Sequence, residues 1–198
     1  MIRQSRRGTV AALLFAIALI CTDMTVQAQP GSGVIFAALL PTPLADGDAL
    51  RTAGGARIHA SLKIENAGSV SRRFSTYRSL FPELVNATGA VVPFEYGANR
   101  SRGPRESDYP LLDPGQTLTI PLEGILTFQG SKLEWRGSDG NLGFWNIVEM
   151  SGPYRFRLAY RQMQPTAGPF EGSSETLSGV WFGEHRTNAV DLALKFAR

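Results

Sequence analysis

Cysteine is nearly absent: the 198 residues carry one, Cys21, and it falls in the most apolar stretch of the chain. A single thiol cannot close an internal disulfide, so a stapled small-domain scaffold is excluded. Histidine is almost as scarce, with only His59 and His185. A zinc site wants three or four Cys, His or carboxylate ligands at a recognisable spacing, and two isolated imidazoles do not supply it. Lysine is limited to three residues against seventeen arginines. The arginines form no stripe interleaved with aromatics, which speaks against nucleic acid as a partner. Catalytic signatures are missing as well: there is no Gly-x-Ser-x-Gly elbow and no Ser-x-x-Lys. Beyond residue 21 no apolar run approaches the ~20 residues that a membrane-spanning helix needs.

What is present begins with an export signal. Arg3, Arg6 and Arg7 form a positive start, Val10 to Cys21 is an uncharged apolar run of 12 residues, and Val26-Gln27-Ala28 offers compact residues where a signal peptidase reads. The pattern predicts a signal peptide over 1–28, cleavage after Ala28 and a mature start at Gln29 in the periplasm or outside the cell. An uncleaved anchor would need a longer run, and a lipid on Cys21 would want Gly, Ala or Ser in place of Ile20. Removing 1–28 takes away the only cysteine and most of the excess positive charge. The remaining 170 residues carry 17 basic and 16 acidic side chains. That length suits a single domain whose core must hold it together without staples.

The rest of the chain reads as strands punctuated by turns. From Arg57 to Glu65, Ile58, Ala60, Leu62 and Ile64 alternate with Arg57, His59, Ser61, Lys63 and Glu65, the period of a half-buried strand. Gly33 to Leu40 suits a first strand, and Val70 to Thr76 another. Asn86-Ala87-Thr88-Gly89 between Leu84-Val85 and Val91-Val92 is a hairpin signal, and Asp113-Pro114-Gly115-Gln116 a turn. Tyr154 to Arg161 and Val190 to Phe196 alternate again. Residues 97–110, rich in Gly, Pro and Arg, read as a surface loop, and 123–150 as a long irregular insertion. These elements predict an all-β fold, an antiparallel immunoglobulin-like β-sandwich of about seven to nine strands in one domain over 29–198.

The order of motifs also resembles a known scaffold. Ile64-Glu65-Asn66-Ala67-Gly68, then Leu112-Asp113-Pro114-Gly115-Gln116, Gly152-Pro153-Tyr154 and Thr187-Asn188-Ala189-Val190 follow one another as in many bacterial exported immunoglobulin-like domains. The same signature resembles the small β-sandwich family named for an intracellular proteinase inhibitor (BsuPI-type), over roughly residues 57–196. The resemblance implies a fold and carries no chemistry, because its motifs are turns and strand entries.

Two groups of residues remain as candidates for binding. Arg72, Arg73 and Arg78 lie in one stretch and Arg100, Arg102 and Arg105 in the 97–110 loop; brought together, they would hold a phosphate or carboxylate. Otherwise they are surface charges balanced by Glu83, Glu95, Glu106 and Asp108. Among Phe128, Trp135, Phe144, Trp145, Trp181 and Phe182, Trp135 is the aromatic that would stand at an interface or a sugar site if any does, against the plainer reading of core or rim packing. His59 falls on the polar face of its strand. His185 follows Glu184, yet neighbours in a strand point apart. Asp46-Gly47-Asp48 and Asp139-Gly140-Asn141 read as turns, lacking the other ligands of a calcium loop, and Asn86-Ala87-Thr88 and Asn99-Arg100-Ser101 match the glycosylation triplet. No catalytic residue, metal or cofactor is expected. The function expected is a non-enzymatic exported protein binding a protein or envelope component through 97–110 and 123–150. A secreted or periplasmic proteinase inhibitor is the alternative, and a carboxylate-dependent enzyme without a motif a second one.

Overall fold

A computed structural model describes residues 24–28, 33–40, 50–51, 54–97, 102–138, 142–147 and 153–192. Among them, fourteen strands follow in order: β1 (Met24–Ala28), β2 (Val34–Leu39), β3 (Ala56–Asn66), β4 (Arg72–Arg73), β5 (Leu80–Val85), β6 (Val91–Val92), β7 (Phe94–Tyr96), β8 (Leu111–Leu112), β9 (Thr117–Gln129), β10 (Lys132–Gly137), β11 (Leu142–Asn146), β12 (Tyr154–Gln162), β13 (Gly183–Arg186) and β14 (Val190–Leu192). Several are pairings of two or three residues, too short to leave a period in sequence, so the count exceeds the seven to nine expected.

The clean alternation of β3 has a direct structural outcome. Ile58, Ala60, Leu62 and Ile64 are buried on one side while Arg57, His59 and Lys63 face solvent. With its inner face fixed, β3 accepts antiparallel neighbours on both edges, β2 from Val34↔Asn66 and β9 from Ala56↔Leu126. The sheet extends to seven strands in the order β1-β2-β3-β9-β10-β11-β7. A second sheet runs β13-β12-β5-β6, with β14 also on β12, and β4 and β8 form a separate pair. The inner faces of the two main sheets meet in one apolar core that includes Phe36, Leu62, Leu126, Trp135, Trp145, Phe156 and Tyr160. The protein is an all-β antiparallel sandwich.

The turn motifs act as scaffold. Gly115 has φ +81, which an L side chain rarely adopts, and Gln116 N–H donates to the Asp113 carbonyl at 3.0 Å to close the turn. Asn66 is fully buried and ties three segments: its amide donates to the carbonyls of Val70 and Leu112, both at 2.9 Å, and its side-chain oxygen accepts from Gly68 N–H. In the 86–89 hairpin, Asn86 Oδ1 accepts from the backbone N–H of Thr88 and Ala90.

Two expectations are corrected. The segment 123–150 is no irregular insertion: among its described residues β9 continues to Gln129, turns, and returns as β10 and then β11, all antiparallel. Trp135 stands at no surface, being 1% exposed in the core. Both follow from glycine. A Cβ on Gly124 would lie 2.5 Å from the Trp135 ring, and one on Gly143 would lie 2.3 Å from the Phe94 ring. The aromatic rings occupy the space that side chains leave vacant, and the same glycines erase the alternation that marks a strand. Residues 1–23 of the expected signal peptide, Gln29, Asp46-Gly47-Asp48, Asn99-Arg100-Ser101, Asp139-Gly140-Asn141 and Ala193 to Phe196 lie outside the described residues.

Candidate functional site

The sequence grouped six arginines, and the structure gives the five described ones different hydrogen-bond partners, although Arg78 and Arg102 both stand over the Tyr77 ring. Arg72 and Arg73 form β4 against β8, and Arg73 Nη1 donates to the Tyr109 carbonyl at 2.9 Å. Arg102 makes a two-pronged pair with Asp108, each contact 2.6 Å, while Arg105 N–H donates to the same carboxylate at 2.7 Å. These bonds from Arg102 hold the Asp108 carboxyl below its ordinary pKa. Tyr77 Oη donates to the Arg102 carbonyl at 2.5 Å. The loop is therefore braced from inside, and Arg102 is spent on its architecture. Arg100 lies outside the described residues.

Arg78 has a different setting. It is the non-glycine residue with positive φ, +49, among the described residues, a conformation costing roughly 1–2 kcal/mol. Serine hydroxyls hold the turn that imposes it: Ser79 Oγ donates to the Ser75 carbonyl at 2.6 Å, and Ser75 Oγ to the Tyr77 carbonyl at 3.1 Å. Tyr160 fastens the turn to the core by donating its hydroxyl to the Ser75 carbonyl at 2.9 Å. The Arg161 N–H donates to the Ser79 carbonyl at 2.8 Å, which brings Arg161 beside Arg78. Both guanidiniums act on the Tyr96 hydroxyl, although its burial outweighs them and raises its pKa.

Arg161 is the residue sequence reading missed. It appeared only as an outward position of an alternating strand. On the outer face of the second sheet it joins Arg157 and Arg186 around Glu83, a carboxylate 4% exposed. Glu83 accepts from Arg157 Nε at 2.8 Å, from Arg186 Nε at 3.3 Å and from Arg161. Glu184 accepts from Arg186 at 2.8 Å and from Arg161. Three guanidiniums thus share two carboxylates, which fixes the side chains and leaves the cluster positive. A signal existed in the period of β12, where three of the four outward positions from 155 to 161 are arginine (Arg155, Arg157 and Arg161). Its cross-strand partner Glu83 sat among apolar neighbours and gave no hint of its role.

Arg78 and Arg161 line a cleft of about 440 Å³ together with Phe81, Pro104, Tyr109, Gln162, Met163 and Thr166. Met163 is 82% exposed at its edge. The cleft offers two cations, amide and hydroxyl groups and an apolar wall, a set that suits an acidic group carried on an apolar or extended stem.

The histidines part company. His185 is 6% exposed and stacks on Phe36 with centroids 4.2 Å apart, and burial lowers its pKa to about 4. His59 faces outward, its Nδ1 3.7 Å from Glu123, with the two side chains 68% and 52% exposed. Ser138 lines the same shallow groove. A nucleophile and base need fixed, hydrogen-bonded geometry, and this solvated pair is longer than a hydrogen bond. Among the described residues no group of three or more Cys, His, Asp or Glu converges on a metal-sized site, and no helix is long and apolar enough to cross a membrane. No family model matches the chain, and neither does any curated protein or solved structure.

Proposed function

We propose that the chain is exported to the periplasm or beyond and works there as a non-enzymatic binding module, seating an acidic group of a protein or envelope partner between Arg78 and Arg161. The observation that carries this reading is the cleft itself. Arg161 is held in place by Glu83 and Glu184, and Arg78 is presented by a turn in a costly conformation. Guanidiniums fixed before binding lose little entropy on meeting a carboxylate or phosphate, which favours affinity. Backbone strain of this kind gathers at functional sites. The loop 97–110 contributes Pro104 to the rim, so part of the surface expected from sequence enters the proposal, while 123–150 leaves it.

The test is capture from envelope extract by wild-type protein and by Arg78→Glu. Arg78 is at a turn, so charge reversal leaves the core intact and is expected to abolish recovery of the acidic partner. Identical partners in both captures would overturn the assignment.

A second reading has one observation in its favour. Residues Arg102 to Ser107 are mostly exposed and rigidly braced by the Arg102–Asp108 pair and Tyr77, as a protease-inhibiting loop must be. It accords with the scaffold resemblance to the proteinase inhibitor family. Inhibition of one member of a panel of serine, cysteine and metalloproteases, lost on Asp108→Asn, would favour it over the cleft.

A further inference from the structure

The edges of the two main sheets are unequal. In the first sheet β7 has three residues, including Glu95, and follows Pro93. In the second, β6 has two residues, β13 reads Gly-Glu-His-Arg and β14 carries Asp191. Short length, charge and proline are the devices by which proteins keep a sheet edge from pairing with another chain. β2 has none of them. Its six residues, Val34-Ile35-Phe36-Ala37-Ala38-Leu39, include no charge, proline or glycine, the composition of a segment that pairs readily with others. In the full chain its outer edge is covered by β1, antiparallel from Met24↔Leu39 to Ala28↔Ile35. Yet β1 ends at Ala28, the residue after which the export signal predicts cleavage.

We propose that export uncovers this edge and that a second copy of the chain covers it, β2 pairing antiparallel with β2 of its twin about a two-fold axis. The backbone of β2 already accepts an antiparallel strand there, as β1 demonstrates. Self-pairing sets uncharged residues against uncharged residues with no like-charge contact. A two-fold interface also closes on itself, covering both liable edges at once, where a head-to-tail arrangement would leave one open. The leader's last strand then serves as a placeholder that keeps β2 from pairing before the chain has left the cytoplasm. This inference rests on the export reading and is independent of the Arg78–Arg161 cleft.

The experiment uses the full chain, expressed with its leader in an exporting host, purified from the periplasm and compared with an Ile35→Lys variant. Ile35 lies on the outward face of β2, opposite Glu65 of β3, so a lysine there has a partner within one copy and places a charge on the edge that self-pairing would cover. Mass spectrometry of the N-terminus reads export and cleavage, and sedimentation velocity reads the assembly. A mature start at Gln29, a dimer for the wild type and a monomer with unchanged circular dichroism for Ile35→Lys are expected. A start at or before Met24 would show that β1 is kept, overturning the proposal through its export premise. A monomeric wild type starting at Gln29, or a dimer that survives Ile35→Lys, would overturn it while leaving export intact.

Discussion

A neutral imidazole buried against a benzene ring makes stability depend on acid. His185 protonates near pH 6.5 when unfolded and only at about pH 4 when folded. Between those values the unfolded state binds more protons, so stability falls as pH falls. The contribution is whole above pH 6.5, erodes down to about pH 4 and amounts to at most about 3 kcal/mol. Replacing the imidazole by a ring that cannot titrate, as in His185→Phe, should flatten urea-midpoint stability across that window. Asp108 works lower on the scale. Its carboxyl is held below the ordinary carboxylate range by Arg102, so its stabilisation is present above that range and disappears as pH drops through the folded value. Asp108→Asn should remove that second acid limb and leave the His185 limb untouched. Glu83 is the third sensitive residue. Glu83→Gln leaves three guanidiniums without their shared anion, and because these are partly solvated the loss should be about 2–3 kcal/mol, below the cost of a fully buried break. Chemical denaturation at neutral pH checks it.

Strands differ in how plainly they show themselves. β3 was legible because each inward position from Ala56 to Ile64 carries a methyl-bearing side chain and each outward one a polar group, so period two survives without interruption. The half of β9 after Leu122 and all of β11 were not, because Gly124 and Gly143 stand at inward positions; the alternation of Leu118, Ile120 and Leu122 with Thr117, Thr119 and Pro121 does mark the first half of β9. The ring of Trp135 lies against Gly124 and that of Phe94 against Gly143, so the core is filled from the neighbouring strand and the missing side chain is invisible in a one-dimensional pattern. The consequence is measurable. In Gly124→Ala the new methyl would also come within 2.8 Å of the Arg136 carbonyl, leaving nowhere to yield but the indole. Overpacking of this kind should destabilise the protein by roughly 1–3 kcal/mol and alter the near-ultraviolet dichroism of tryptophan. Arg161 was illegible for a related reason: its position on the outer face could be read, but the carboxylates that fix it come from β5 and β13, 78 and 23 positions away.

Across the whole molecule, the sheets are joined near β2 by an aromatic cluster. Phe36 meets His185, Trp181 and Tyr160 with centroids 4.2, 5.3 and 5.8 Å apart, and Phe74 stacks on Trp181 at 6.3 Å. With a single cysteine the chain closes no internal disulfide, so the core depends on such contacts. Truncating the residue at their centre, Phe36→Ala, should cost about 3–5 kcal/mol in urea titration, the largest loss among these substitutions.

The amino-acid order by itself determined the class of the fold, the clean strands, the principal turns and the export pattern, since period, proline, glycine and charge act over a few residues. It also determined that the chain, with one cysteine, does without an internal disulfide. Tertiary structure alone decided that Trp135 is core, that the described residues of 123–150 are mostly sheet, that Arg102 braces a loop while Arg78 faces a cleft, and that β2 lies between β1 and β3. Each of these depends on which distant residue lies alongside, and strand pairing, unlike strand formation, is set by contacts that local sequence does not contain.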